Sequence, residues 1–352
     1  MSKIITYEQY ISKVSDFGFS DSIVQEIWKR YQKLREDSLA NNKPFEISDI
    51  GLLTKYYDLG ITIGRGAQGF VKIGKNKKTG RVSALKFIYT KDIDEKKLKE
   101  EYEIMYDISK YPVCHPNIVC YEDLFETTYG KYNNKKYYIL QMELFKGREI
   151  LDLINCALAT KIKIPNTLTR LIMQDILKAL NYIHSKNIVH RDIKPNNVMF
   201  NDQGIKIVDF GFACYVGKCE YKVGTRIYFS PEKANPGKNY DQKKADLWAA
   251  GIILLEMLVE EDLALFLNDL IINIEEESNN KLMADIVDVT IRKSSKIPKD
   301  IRSLLVGLLK FNPDERITAS KALSMIKGKI GTYEELWKFW TKCDKENKKV
   351  YS

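Results

Sequence analysis

The sequence predicts an α+β fold in two lobes, a small β-rich one holding a single long helix and a larger, mainly helical one. Three observations carry this. Residues 59–63, 82–88 and 137–143 alternate as strands around one helix-prone stretch at 91–109. From residue 148 onward the apolar spacing becomes helical, most plainly at 168–184, where Leu171, Ile172, Ile176, Leu177, Leu180 and Ile183 share a face. Set into that helical region is one short hairpin, Val198-Met199-Phe200 and Ile205-Lys206-Ile207-Val208 around the turn Asn201-Asp202-Gln203-Gly204.

At 352 residues the chain has ample length for a buried core, and 44% hydrophobic with 29% charged residues is ordinary for a soluble globular protein. The net charge of +9 comes from lysines dispersed among tyrosines and acids. Dispersed charge makes no groove-sized footprint, so a solubilising surface is expected and no nucleic-acid partner. The cysteines at 114, 120, 156, 214, 219 and 343 form no C-x-x-C pair and no framework of a small secreted domain, so reduced thiols are expected. Polar residues follow Met1 at once, and no apolar run approaches the ~20 residues of a bilayer span. The expectation is a soluble intracellular monomer of cytoplasm or nucleus with no membrane partner.

Residues 1–57 read as a helical N-terminal extension. Tyr7, Tyr10, Ile11, Val14 and Phe17 follow helical spacing, as do Ile23, Val24, Ile27, Trp28, Tyr31 and Leu34 after a capping candidate at Ser20 or Asp21. The intervening Phe17-Gly18-Phe19 turn is faintly similar to a ubiquitin-associated domain, but packing of the extension on the main domain is the preferred reading.

In residues 58–143 the strand at 59–63 runs into Gly64-Arg65-Gly66-Ala67-Gln68-Gly69-Phe70-Val71. In a dinucleotide-binding fold the last glycine of G-x-G-x-x-G opens a helix. Here Phe70, Val71, Lys72 and Ile73 continue as a strand to the turn 76–80, which argues against that fold. Strand–glycines–strand is instead a hairpin laid over phosphates, where absent side chains let backbone N–H groups approach. On the next strand Ala84 and Lys86 share a face, and an inward lysine on an apolar strand is costly unless paired. The helix at 91–109 offers Glu100, Glu101 and Glu103 as partners.

The hairpin at 198–208 brings together what precedes and follows it. Asp192, Lys194 and Asn197 lie in the loop His190-Arg191-Asp192-Ile193-Lys194-Pro195-Asn196-Asn197, and Asp209 opens Asp209-Phe210-Gly211. Two acids and an amide at one end of a hairpin suit a divalent metal and a proton acceptor. Together with Gly224-Thr225, Ser230-Pro231-Glu232, Asp246 and Arg316, these motifs resemble the protein kinase family, serine/threonine branch, over residues 58–326 (lobes 58–143 and 148–326).

The resemblance implies an ATP- and Mg²⁺-dependent enzyme that phosphorylates Ser and Thr of protein substrates. It makes Asp192 the base and Lys194 the charge partner of the transferring phosphoryl, with Asn197 and Asp209 as metal ligands. It places ATP against Ile63, Gly64, Arg65, Gly66, Ala67, Gln68, Gly69, Phe70, Val71, Ala84, Lys86, Met142, Glu143, Phe145 and Met199. The apolar positions Ile104, Met105 and Ile108, matched to the family pattern, select Glu101 as the partner of Lys86. By the same resemblance His190 packs on Phe210, in a stack with Met105 and Tyr121, Glu232 pairs with Arg316, and Asp246 caps the catalytic loop. At the usual phosphosite stands Tyr221 beside Glu220, which would give Arg191 a standing charge. The family's turn after Leu258 is replaced by an acidic stretch at 259–280.

Residues 327–352 form a basic aromatic tail, with Tyr333, Leu336, Trp337 and Trp340 on one helical face and Lys338, Lys342 and Lys345 on others. Packing on the preceding lobe is preferred to a calmodulin-type or autoinhibitory role. The alternative to an active enzyme is a nucleotide-binding pseudokinase scaffold. Such proteins lose the lysine, the base or the metal aspartate, and here Lys86, Asp192, Asn197 and Asp209 are all present.

Overall fold

A computed structural model describes residues 48–66, 69–90, 95–109, 113–130, 135–219, 223–234, 240–259 and 297–350. The expectations for residues 1–47, Ala67, Gln68, Glu220, Tyr221 and the acidic stretch beyond Val259 lie outside them. The chain divides into two compact units, 1–145 and 146–352.

The first unit is built on strands β1 (Ser48–Leu52), β2 (Tyr57–Gly66), β3 (Gly69–Asn76), β4 (Val82–Tyr89), β5 (Val113–Cys114), β6 (Tyr121–Tyr129) and β7 (Lys135–Glu143), with helix α1 (Glu95–Ser109). Six of the strands form one sheet in the order β1-β6-β7-β4-β3-β2. All its pairings are antiparallel except β1 with β6. The strand β1 and the short 3₁₀ turn Leu53–Lys55 fall in the stretch read as a helical extension. Parallel pairing needs no tight hairpin, so Ser-Asp-Ile-Gly-Leu carries no turn signal to announce it.

The alternation of β4 sorts its residues to two faces. Leu85 and Phe87 join Leu53, Tyr57, Phe125, Tyr137 and Ile139 in a buried cluster. Gly74 in β3 leaves room for it, since a Cβ there would come within 2.3 Å of Leu85. At the sheet's polar end Glu122 pairs with Arg81 at 2.6 Å and accepts from Ser83 Oγ at 2.7 Å, while Gln141 accepts from the Tyr57 hydroxyl at 2.7 Å. Ser83 is fully buried, so these bonds replace the water it lacks.

The second unit contains β8 (Arg148–Glu149), α2 (Ile150–Thr160), α3 (Asn166–Ser185), β9 (Ile188–Val189), β10 (Val198–Phe200), β11 (Ile205–Ile207), β12 (Cys214–Tyr215), α4 (Pro231–Ala234), α5 (Gln242–Leu258), α6 (Lys299–Leu308), α7 (Ala319–Met325) and α8 (Tyr333–Val350). Helix α5 is its axis, buried nearly all round and capped by Asp241, which accepts from the N–H groups of Lys243 and Lys244. Helices α3 and α6 pack on α5, and α7 packs on both of them. The bidentate pair of Arg170 with Asp300, at 2.7 and 2.9 Å, ties α3 to α6. The predicted hairpin forms with Val198 opposite Ile207, and β8 adds a third strand beside β10.

The tail is helix α8, which lies against α2. Leu336, Trp340 and Cys343 are buried, Trp337 and Trp340 meet the ring of Phe200 at 6.1 and 6.2 Å, and the Tyr333 hydroxyl donates to Asp175 at 2.7 Å. The cysteines correct the expectation of separate reduced thiols. They are paired as Cys114–Cys120, Cys156–Cys343 and Cys214–Cys219. Two pairs are brought together by local turns and the third by the docking of α8 on α2, none of which a C-x-x-C search detects.

Docking of α8 has a measurable stability. Trp340→Ala should lower the unfolding free energy in urea by about 3–5 kcal/mol. Lys342→Ala, at an exposed position of the same helix, should stay within about 0.5 kcal/mol.

Candidate active site

In the first unit the β2–β3 hairpin sets Gly64 opposite Val71, Arg65 opposite Phe70 and Gly66 opposite Gly69. Gly69 is required by its surroundings: its φ is 152° and a Cβ would lie 1.8 Å from the Phe87 carbonyl oxygen. The register of β3 on β4 pairs Val71 with Lys86 and Phe70 with Phe87. Val71 therefore shares the Lys86 face, whereas the Phe70 ring stacks on Phe87 at 4.6 Å in the aromatic cluster. Of Phe70, only the backbone is left to meet a ligand on the lysine face. Ile63 is exposed and Ala84 buried.

Lys86 Nζ stands 3.6 Å from Glu101 Oε1. Glu100 and Glu103 are exposed, so the turn of α1 that buries Ile104, Met105 and Ile108 also turns Glu101 inward. Glu101 Oε1 is buried with no hydrogen-bond partner. An orphaned carboxylate oxygen beside an ammonium fits a lysine held ready for a phosphate. Met142 lies opposite both Ala84 and Tyr121. Glu143 closes β7 by donating its N–H to the Cys120 carbonyl and accepting from the Cys120 N–H, both at 2.8 Å.

In the second unit the residues of the loop converge on Asp192, which is 4% exposed. Its Oδ1 accepts from the Thr225 N–H at 2.8 Å, and its Oδ2 meets Lys194 Nζ at 2.9 Å and Asn197 Nδ2 at 3.1 Å. Lys194 also donates to the Thr225 hydroxyl at 2.8 Å. With its Nδ2 committed to Asp192, Asn197 has its amide oxygen as the atom for a cation. Asp209 is exposed and held at φ 58°, and the Val208 N–H donates to the Asn197 carbonyl at 2.9 Å, joining the two strand ends. One carboxylate and one amide oxygen are hard donors that suit Mg²⁺ completed by phosphate and water oxygens. Among the described residues no group of three His, Cys, Asp or Glu side chains forms a metal cluster. Met199 sits half-buried in β10.

The loop is suspended from α5. Asp246 accepts from the N–H groups of His190 and Arg191 at 2.9 and 2.8 Å and from His184 Nε2 at 3.0 Å. Burial alone would raise the Asp246 carboxyl; the hydrogen bonds from His184 and from the His190 backbone hold it below the usual carboxylate range. His190 is fully buried, edge-on to the Phe210 ring at 4.6 Å. Its Nδ1 accepts from the Asp192 N–H, its Nε2 faces the Val208 carbonyl, and burial pushes its pKa down. A neutral imidazole wedged this way is a packing residue.

Gly224 lies against the loop, where a Cβ would be 2.4 Å from the Arg191 carbonyl oxygen. The segment after it ends at Glu232, clasped by Arg316 at 2.7 and 3.0 Å. The Arg316 side chain is fully buried, donates also to the carbonyls of Lys244, Lys310 and Phe311, and lies over Trp248 at 5.1 Å. Lys233, which no sequence motif singles out, is 6% exposed, and its Nζ donates to the Arg191 carbonyl at 2.8 Å.

Residues 57–326 match the family model described as protein kinase domain. The chain is 33% identical over 316 residues to "Calcium-dependent protein kinase 5" of Plasmodium berghei (strain Anka), covering 84% of this chain and 48% of that protein. It is 30% identical over 269 residues to a probable serine/threonine-protein kinase of Dictyostelium discoideum, covering 74% of this chain and 29% of that one. The chain thus spans about half or less of the length of these relatives.

Two outcomes follow from the buried polar contacts. Arg316→Ala should cost about 3–5 kcal/mol in chemical denaturation, because it leaves the Glu232 carboxylate without its partner. Glu256, bonded by the Tyr228 hydroxyl at 3.1 Å, is pushed up by burial from 4.5 to about 7. A raised carboxyl contributes stability in full below its unfolded pKa and loses it as pH rises through about 7. The stability of Glu256→Gln should therefore fall less between about pH 5 and 8 than that of the unsubstituted chain, read by thermal unfolding.

Proposed function

Because the chain belongs to the protein kinase family, we propose that it transfers the γ-phosphoryl group of ATP to serine and threonine hydroxyls of protein substrates. The observation that carries this is the Lys194 ammonium shared between the Asp192 carboxylate and the Thr225 hydroxyl, at 2.9 and 2.8 Å. Asp192 orients the acceptor hydroxyl and takes its proton, and Lys194 neutralises charge on the phosphoryl as it moves. The backbone of 64–69 and the Lys86 ammonium hold the phosphates, with Glu101 holding Lys86. Ile63, Val71, Ala84, Met142 and Met199 make the apolar contacts of the purine, and backbone groups of Glu143 and Phe145 bond it. Asn197 through its amide oxygen and Asp209 would hold Mg²⁺, which when bound neutralises the β- and γ-phosphate oxygens. Catalysis of this kind is positioning and electrostatics, with no covalent intermediate.

We read 58–326 as the catalytic domain of a monomer acting on proteins, with 1–57 and 327–352 as accessory segments. No helix among the described residues is long and apolar enough to cross a membrane.

The test is phosphate incorporation from radiolabelled ATP into a generic basic protein. Asp192→Asn and Asp209→Ala should each lower the rate by at least about 100-fold. Equal incorporation by the wild type and Asp209→Ala would overturn the proposal, and binding of ATP with no incorporation by the wild type would favour a scaffold.

A further inference from the structure

Lys233 is a buried ammonium that the reading above leaves without a task. It stands on α4, next to Glu232 but turned from it: Glu232 faces Arg316, while Lys233 runs beneath the Phe229 ring, with Nζ 4.2 Å from the ring centroid. Among the described residues no carboxylate reaches ion-pair distance of that nitrogen. Its one hydrogen bond is to the carbonyl of Arg191, at 2.8 Å. Burying a lysine without a carboxylate is costly, and an apolar side chain at 233 would pack on Phe229 without that cost. The ammonium is therefore retained for the carbonyl.

That carbonyl belongs to the residue directly before Asp192. Arg191 has φ 68°, a left-handed conformation that turns its carbonyl away from any strand ladder and into the segment 224–233. There it is boxed in, with the position of a Gly224 Cβ only 2.4 Å from it on one side and Lys233 on the other. The Asp192 side chain is tied to the same segment by the Thr225 N–H at 2.8 Å. Backbone and side chain of Asp192 are thus fixed by separate bonds from one stretch of chain. We propose that Lys233 is a positioning residue for phosphoryl transfer, its amine holding the Arg191 carbonyl so that the Asp192 carboxylate is aimed at the acceptor hydroxyl. This rests on the reading of Asp192 as the base.

The charged groups facing Lys233 are Arg191 and Asp192 from the loop and Asp246 from α5, with Tyr228 lining the same small space. Burial, with a smaller opposing pull from Asp246, brings the lysine down to about 8. Asp246 is held low and the Tyr228 hydroxyl is pushed up by burial, so neither titrates in that region. Deprotonation of Lys233 weakens its bond to the carbonyl, since a charged donor binds more tightly than a neutral one.

The experiment measures kcat and KM of the full chain against pH with a generic basic protein, for the wild type, Lys233→Met, Lys233→Arg and Asp192→Asn. Lys233→Met should lower kcat roughly tenfold, the factor of one strong hydrogen bond, with KM for ATP unchanged. The alkaline fall of wild-type kcat near the lysine's own pKa should vanish in Lys233→Met and move to higher pH in Lys233→Arg, which also restores most of kcat. Wild-type kcat in Lys233→Met overturns the proposal. If Lys233→Met does not fold, an alkaline limb in Lys233→Arg at the wild-type position overturns it equally. Full activity of Asp192→Asn is the distinct outcome that removes the base reading and this proposal with it.

Discussion

The interaction on which the second unit depends is the buried carboxylate of Asp246. The loop 190–197 has little regular structure, so its backbone N–H groups must find partners elsewhere. Asp246 accepts two of them in succession, from His190 and Arg191, and a third bond from His184 keeps the carboxylate ionised. Helix α5 is buried on nearly every side, so the charge is costly there and these three bonds are what offset it. Two residues on, Trp248 lies under the Arg316 guanidinium that clasps Glu232. One helix therefore anchors both the loop that carries Asp192 and the segment 224–232 that lies against it.

Strain in the backbone gathers at the same place. Among the described residues four non-glycine residues have positive φ: Lys161, Asn187, Arg191 and Asp209. The first two follow the ends of α2 and α3, where a left-handed residue is an ordinary way to stop a helix. Arg191 and Asp209 have no such reason. Each adjoins or is one of the two acids proposed for the site, and each is held by its surroundings: Arg191 by Asp246, Phe212 and Lys233, and Asp209 by the end of β11, where Val208 bonds Asn197.

What could be read from the sequence was what local pattern encodes. Alternation placed Lys86 opposite in sense to Phe87. The choice among Glu100, Glu101 and Glu103 needed the family pattern at Ile104, Met105 and Ile108, and the structure buries Glu101 and leaves the other two exposed. The same alternation, applied to Phe70 and Val71, would have put the Phe70 ring in the aromatic cluster; motif matching took precedence over it. Strand β1 was hidden because parallel pairing over a long separation leaves no mark in the residues between. The pairing of Cys156 with Cys343 was hidden for a similar reason, because it exists only once α8 has docked. Lys233 resembled any surface lysine, and only its burial distinguishes it.

The docking of α8 bears on where the folded unit ends. The matched family segment stops at 326, yet Phe200 in β10 is roofed by Trp337 and Trp340, and Cys156 in α2 by Cys343. A chain ended at the family boundary would uncover an apolar face around Phe200 and Cys156. Bared surface of that kind promotes self-association, so such a shortened protein would be limited by solubility before its chemistry could be assayed.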